Sequence, residues 1–488
     1  MHLDRLASIR TILAAAVLAT SGCAALPPAV SAATAECRTF FADLDRRIER
    51  AGMRDGGTQR VAGYPYLRAD RFLASFADET GGDAQFDAWV AHLRARDQAA
   101  RTAELRNLGT ADAAGKLDQS ARCGAQLAAL ELATPQQRAQ LRERVRVPDD
   151  YSLLARGLGF YPVAVPFLNL GIAGYHDEVR EDYARPLAAL DSPGPLTVWM
   201  PPAPAAADAD AGGALQPAPL SPDALGIPQL SDAQWQQLAQ RHAPVWWIEA
   251  GGAYDRPGTL QRTAADGVPR VDSSQAAVYF LPDYTRFGRR VLPTLIYVLW
   301  FSERPPQKSF DPYAGALDGL IWRVVLDPQG QPLSYDTIHP CGCYRYTFPA
   351  QPLQHIEHGG FWQEPVLFPQ ADLPAGRPAL RIQSQTHYLR RVVSESVLSG
   401  ERRDYTLRPY AELLTLPDGR GGTRSLFAED GIVDGSERTE RWWLWITGVW
   451  EPGAMRQWGR HATSFVGRSH FDDARFLEQN FVVPDWAR

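Results

Sequence analysis

The chain has 488 residues, 45% of them hydrophobic and 22% charged, with a net charge of −6. That length exceeds one ordinary core, so two or more domains are expected. The mild acidity carries none of the electrostatic footprint of a nucleic-acid binder. Many of the 14 tryptophans, 17 tyrosines and 19 phenylalanines fall after residue 244, and aromatic runs favour strands, so the second half is predicted to be β-rich.

Arg5 and Arg10 precede an apolar run from Thr11 to Ala19, followed by small residues. This is the pattern of a secretory signal, too short to span a membrane stably. The next residues, Leu18-Ala19-Thr20-Ser21-Gly22-Cys23, resemble the lipobox of bacterial lipoproteins: Ser21, Gly22 and Cys23 fit, and Thr20 stands where the family usually has Leu. The resemblance covers only about the first 25 residues. It implies removal of residues 1–22, a lipid such as palmitate on Cys23, and the membrane as a partner. Ala24, rather than Asp, follows the cysteine, which in that family implies the outer membrane. The alternative is plain secretion with cleavage after Ala33-Thr34-Ala35.

Five cysteines less a lipidated Cys23 leave four, an even number in an oxidising compartment. Cys37 and Cys123 fall in the same helical region and are expected to pair. Cys341 and Cys343 form a C-x-C and are the second expected disulfide.

After a tether over 23–35, residues 36–147 read as a small helical domain. Cys37, Phe40, Phe41, Leu44 and Ile48 recur at helical spacing. Gly52 to Gly63 is expected to be a loop, Arg68 to Ala77 a second helix, and Phe86, Trp89, Val90 and Leu93 the inner face of a third. Leu117 to Leu132 is another, carrying Cys123. Thr134 caps a helix opened by Pro135. Residues 148–200 are a connector. Within it Tyr151 to Tyr175 is apolar but broken by Pro162, Pro166 and four glycines. A buried connector is expected there, with contact to lipid or to a hydrophobic ligand as the rival. Arg156, Asn169 and the prolines argue against a transmembrane helix. Residues 201–230, rich in Pro and Ala, read as a flexible linker.

Residues 231–488 form the larger domain. Ser231 opens a capped helix to about Arg241. Val245–Ile248, Ala276–Leu281, Thr294–Phe301 and Leu320–Leu326 are short apolar runs between turns. TLIYVLWF and LIWRVVL are apolar on both faces and read as central strands. Arg441–Thr447 is expected to be a further strand, and Asp472–Phe481 a closing helix. The fold class is therefore α+β: a small N-terminal helical domain followed by a larger, mainly antiparallel β domain, either a sandwich or a large sheet.

Chemistry, if any, is expected near Tyr335 to Phe361. His339, Cys341, Cys343, His355 and His358 lie there, with His387 further on. Thiolates and imidazoles suit zinc or copper, which makes these six the candidate metal ligands. A C-x-C disulfide and a Cys–His nucleophile compete with that reading. Asp318, Asp336 and Glu357 are nearby carboxylates, and His461 and His470 flank Ser464 and Ser469. No GxSxG elbow, P-loop or dinucleotide fingerprint is present. Trp246, Trp247, Trp442, Trp443 and Trp445 can build a stacking surface for a carbohydrate or a lipid. The expected function is an envelope binding or structural module with a protein or glycan partner. The competitor is a metal-dependent, hydrolase-type envelope enzyme.

Overall fold

In the computed structural model, residues 32–203, 221–262, 267–357 and 360–488 are described. The signal segment, Cys23, most of the Pro/Ala-rich linker and His358 lie outside them. The architecture is α+β, with a helical N-terminal region leading into a larger, mixed but mainly antiparallel β region.

The helical region holds α1 (Ala32–Arg50), the single turn α2 (Arg71–Ala74), α3 (Asp83–Asn107), α4 (Ala113–Glu131) and α5 (Pro135–Arg144). Thr134 caps α5 through a complete capping box with Gln137. Cys37 on α1 and Cys123 on α4 are disulfide-bonded. The stretch expected as loop and helix between Gly52 and Ala77 contains instead an antiparallel hairpin, β1 (Gln59–Val61) with β2 (Tyr64–Ala69). The reason is charge. Arg68 points into the helices, where it meets Asp97 at 3.1 Å and Glu104 at 2.8 Å. Arg101 meets Asp97 at 2.7 Å and Asp45 at 3.0 Å. Arg68, Asp97, Arg101 and Glu104 are all buried. Extended backbone places alternate side chains on opposite faces, so Tyr66 and Arg68 face one way together.

Residues 153–184 form α6 (Leu153–Leu158) and α7 (Tyr161–Ala184), joined at Phe160, whose φ is 48°. Pro162 stands in the first turn of α7, where its missing N–H costs nothing, and Pro166 is tolerated inside the helix. The stretch is not a buried connector. Val165 and Ile172 are buried, but Leu154, Phe160, Phe167 and Leu170 are exposed.

The β region opens with β3 (Leu196–Met200), α8 (Asp232–His242) and β4 (Val245–Glu249). A small hairpin, β5 (Thr259–Arg262) with β6 (Pro269–Asp272), follows. The long strands are β7 (Ala277–Phe287), β8 (Arg290–Arg304) and β9 (Gly315–Leu326), then β10 (Pro332–Ile338) and β11 (Tyr346–Pro349). They pair antiparallel in sequence order; β15 (Thr406–Pro409) adds to β7 in parallel and completes a six-stranded sheet. A five-stranded sheet runs in the order β13 (Leu389–Ser394), β12 (Pro378–Ile382), β4, β3, β14 (Glu401–Asp404).

The two sheets share one core. Trp246, Ile248, Leu380 and Ile382 of the smaller sheet join Leu295, Tyr297, Leu299, Trp322 and Val324 of the larger. The other face of the larger sheet presents Ile296, Val298, Trp300 and Ile321 to a cluster that includes Tyr410, Phe427, Met455 and Phe471. β8 and β9 are thus covered on both sides, as their unbroken apolar runs predict. Arg441–Thr447 is helical rather than a strand: α9 (Arg441–Leu444) runs into a 3₁₀ turn. Trp442 and Trp443 are exposed there, whereas Trp246 and Trp247 are core. The chain closes with α10 (Phe476–Asn480), shorter than expected.

The Cys37–Cys123 bond closes a loop spanning 86 residues. Replacing both cysteines by Ala is expected to lower the unfolding free energy by about 2–5 kcal/mol in urea titration. An unchanged midpoint would show that α1 and α4 need no staple.

Candidate functional site

One interior strand and three turns carry four ionisable side chains into one buried row. Asp318 lies in β9, His339 just after β10, His387 in the turn before β13, and Asp255 in the turn after β4. His387 Nδ1 lies 2.8 Å from Asp318 Oδ2, and its Nε2 lies 3.4 Å from Asp255 Oδ1. The other Asp318 oxygen takes His339 Nδ1 at 3.1 Å. All four residues are buried. The His387 ring also stacks on Phe301 with centroids 3.9 Å apart. Asp255 is held by the amides of Gly251 (2.7 Å) and Gln385 (2.9 Å) and by the Ser384 hydroxyl (2.8 Å).

The row alternates in charge. Burial pushes the Asp318 carboxyl up, but His339 and His387 outweigh it and hold it well below 3.8. Burial likewise opposes charge on His387, yet hydrogen bonds to Asp255 and Asp318 keep its pKa above 6.5. Burial lowers the pKa of His339, with Asp318 only partly compensating. The arrangement is therefore carboxylate, imidazolium, carboxylate, neutral imidazole. His339 Nε2 has no hydrogen-bond partner among the described residues. The backbone here is strained: Leu317, Tyr344, Gln385 and His387 all have φ between 55° and 69°. Such conformations persist only where the surroundings enforce them.

His339 opens toward a pair of tyrosines. Its ring centroid lies 4.9 Å from that of Tyr344 and 5.7 Å from that of Tyr388. Arg304 donates to the Tyr388 hydroxyl at 3.1 Å and lies over both rings. Tyr344 and Tyr388 in turn wall a cavity of about 580 Å³. Its other walls come from α7, from residues 341–345 and 363–366, and from the C-terminal segment after Glu440. Phe167, Leu170 and Ile172 line the mouth side. The polar lining includes Arg345, Glu364, Glu440, Arg468 and Ser469. Arg345 Nη1 donates to the Ser469 hydroxyl at 2.9 Å. Its Nε and Nη2 are enclosed and have no hydrogen-bond partner among the described residues. Burial pushes Glu364 and Glu440 up to about 7 each, against two backbone amides for Glu364 and against Arg304 and Arg438 for Glu440.

Of the six candidate metal ligands, the structure brings His339 and His387 together, through Asp318. Cys341 and Cys343 line the cavity as free thiols rather than as the expected C-x-C disulfide. Gly342 turns the backbone between them at φ 94°, and an added Cβ there would meet the Ala462 carbonyl at 2.3 Å. The Cys343 thiol is pushed up by its hydrogen bond to Cys341 and by burial, which disfavours a thiolate nucleophile. His355 is exposed and sits elsewhere, its ring against Phe368 at 4.3 Å, and His358 lies outside the described residues. Among the described residues, no group of three or more His, Cys, Asp or Glu side chains could hold a metal ion. Asp336 belongs to Arg323 and Thr347, and Glu357 is exposed. His470 faces Asp149 and Asp150, and His461 is buried, with burial lowering its pKa to about 3.

Asp255, Arg304 and Tyr388 carry no sequence signal that marks them for this site. Asp318 does carry one, since a carboxylate inside the apolar run GALDGLIWRVVL must find partners once buried. Comparison with protein-family models, with curated proteins and with solved structures finds no match for this chain.

Asp318→Asn removes the negative charge and one of the two acceptor oxygens, turning a donor toward one of the imidazoles, and is expected to cost about 3 kcal/mol or more. The folded Asp318 pKa is lowered, so its contribution is complete above 3.8 and lost as pH falls through the folded value. The folded His387 pKa is raised, so its contribution is complete below 6.5 and lost as pH rises through the folded value. The gap between parent and variant in denaturant titration is therefore expected to be widest between pH 3.8 and 6.5. A gap that does not vary with pH would contradict the charge pattern.

Proposed function

We propose that this chain is an envelope protein, held to the outer membrane by the lipid expected on Cys23, that binds an amphiphile with an apolar body and an anionic head. The observation that carries this reading is Arg345 at the wall of the cavity. A guanidinium enclosed with two unspent donor atoms is costly, and a carboxylate or phosphate offers the planar acceptor geometry that matches it. Glu364 and Glu440, with pKa values near 7, are partly protonated at neutral pH and oppose an anion less than two full carboxylates would. The apolar mouth on α7 suits the remainder of such a ligand.

The test uses the full chain carrying Cys23→Ala, titrated with a fluorescent long-chain fatty acid. Arg345→Gln is expected to weaken binding by roughly tenfold or more. Gly174→Trp, whose Cβ would have nothing within 4 Å, is expected to block the mouth with the fold intact. Affinity is expected to fall as pH rises through about 7, because both acidic side chains then gain charge. No binding, or equal binding by parent and Arg345→Gln, sinks the reading.

A second reading, an enzyme acting on the bound ligand, is favoured by the unpartnered Nε2 of His339 behind Tyr344 and Tyr388. His387 and Asp318 would orient His339, as a general base requires. Hydrolysis of a medium-chain aryl ester that drops about 100-fold in His339→Ala, with fatty-acid binding retained, supports it. Zinc and copper analysis of the same preparation tests its metal-dependent form. An inactive parent chain counts against any esterase.

A further inference from the structure

We infer that the exposed apolar face of α6 and α7 is a membrane-docking surface, and that it seats the cavity mouth in one leaflet of a phospholipid bilayer. From Gly157 to Tyr175 the chain carries no charged residue. The face turned outward is Leu154, Leu158, Phe160, Val163, Phe167 and Leu170, with Phe160 74% and Phe167 and Leu170 each 72% exposed. The opposite face is anchored to the protein. Tyr161, Val165 and Ile172 pack with Val466, and the Tyr161 hydroxyl bonds the backbone of Phe465 and Gly467. A helix pair this apolar on its solvent side, yet fixed by its inner side, is built to be covered.

Aromatic side chains border the face on two sides. The Asn169 amide donates to the Phe361 carbonyl at 3.0 Å, which places exposed Phe361 and Trp362 beside α7. Gly159 packs against Ile446, and Arg156 bonds the Thr447 carbonyl at 2.7 Å, which places the segment of exposed Trp442, Trp443 and Trp450 beside α6. Tryptophan at the border of an apolar zone is the signature of a membrane–water interface. No helix among the described residues is long and apolar enough to cross a membrane, so the contact is with one leaflet.

Two further observations choose a bilayer over a second copy of the chain. The face is continuous with the cavity, since Phe167 and Leu170 belong to both; a bilayer leaves the mouth supplied with amphiphiles, whereas a second copy would seal it. The expected lipid site, Cys23, stands nine residues before Ala32, the first residue of α1. So short a tether, at most about 30 Å when extended, keeps the body at the membrane surface. The inference rests on the amphiphile reading for what enters the mouth and for the argument against a second copy.

The experiment measures co-sedimentation of the full chain carrying Cys23→Ala with vesicles of phosphatidylethanolamine and phosphatidylglycerol. Binding without the lipid anchor is expected, together with quenching of tryptophan fluorescence by brominated acyl chains. Leu154→Asp with Phe160→Asp lie on the face but outside the cavity lining, and Asp tolerates the left-handed backbone at Phe160. This variant is expected to lose vesicle association by roughly tenfold or more, while its fatty-acid titration in solution stays unchanged. Failure to bind vesicles overturns the inference, as does binding that the two substitutions leave intact. A dimer that the substitutions dissociate, with no vesicle binding, overturns it in favour of a second copy. Vesicle binding lost on substitution in a chain that never bound fatty acid sustains the docking surface and discards the ligand reading alone.

Discussion

Asp318 is a buried carboxylate near the start of a central strand, where, among the described residues, the only backbone donor it finds is the adjacent Gly319 amide at 2.9 Å. An isolated charge there would be intolerable. The surrounding structure answers by bringing two imidazoles from distant loops onto its two oxygens. That requirement sets the conformation of residues 384–388, where Gln385 and His387 both take left-handed backbone, and it draws Asp255 in from the turn after β4 to balance His387. The turn holding Asp255 belongs to the smaller sheet and Asp318 to the larger. The row of charges is therefore also a clamp between the two layers, directional where the shared apolar core is not.

The clamp and the cavity are neighbours rather than one site. Tyr344 and Tyr388 stand between them, their ring centroids 4.5 Å apart, with Arg304 across both. A neutral His339 at the end of the row has a free nitrogen but contacts the cavity through aromatic walls. For His339 to reach a group in the cavity, Tyr344 and Tyr388 would have to move. The two thiols face each other: the bond to Cys341, burial and the Glu440 carboxylate raise the Cys343 pKa against the opposing Arg456 guanidinium, which disfavours a thiolate.

Much of the fold is legible in the residues. Unbroken apolar runs identify β8 and β9 as central, Thr134 and Ser231 mark helix starts, and two cysteines in the helical region find each other. The hairpin at Gln59–Ala69 is missed because its inward side chain is an arginine, which periodicity scores as polar surface. Arg441–Thr447 is missed for the opposite reason: a tryptophan-rich run has strand propensity, but here it has no strand to pair with and lies along α6. The apolar stretch on α6 and α7 is read as core because sequence cannot tell an apolar face that packs on protein from one left exposed. At the site, His339 and His387 are visible as histidines near glycine and cysteine. Their union through Asp318 depends on strand register, which one chain does not reveal.

Arg71 bonds the Gly459 carbonyl at 2.8 Å and reaches both Asp150 and Asp472 near 3 Å. Asp472 is 401 residues away along the chain. Asn107 similarly reaches Leu414, and Arg286 of β7 reaches Ser75. Through Arg71, the part of the cavity-walling segment between Gly459 and Asp472 is moored to the helical region. Contacts of such long sequence separation form slowly and late. The last strand of the two sheets ends at Pro409, whereas much of the cavity wall comes from Glu440 onward, so the sheets alone do not make the recess: it also needs that later segment docked against α7.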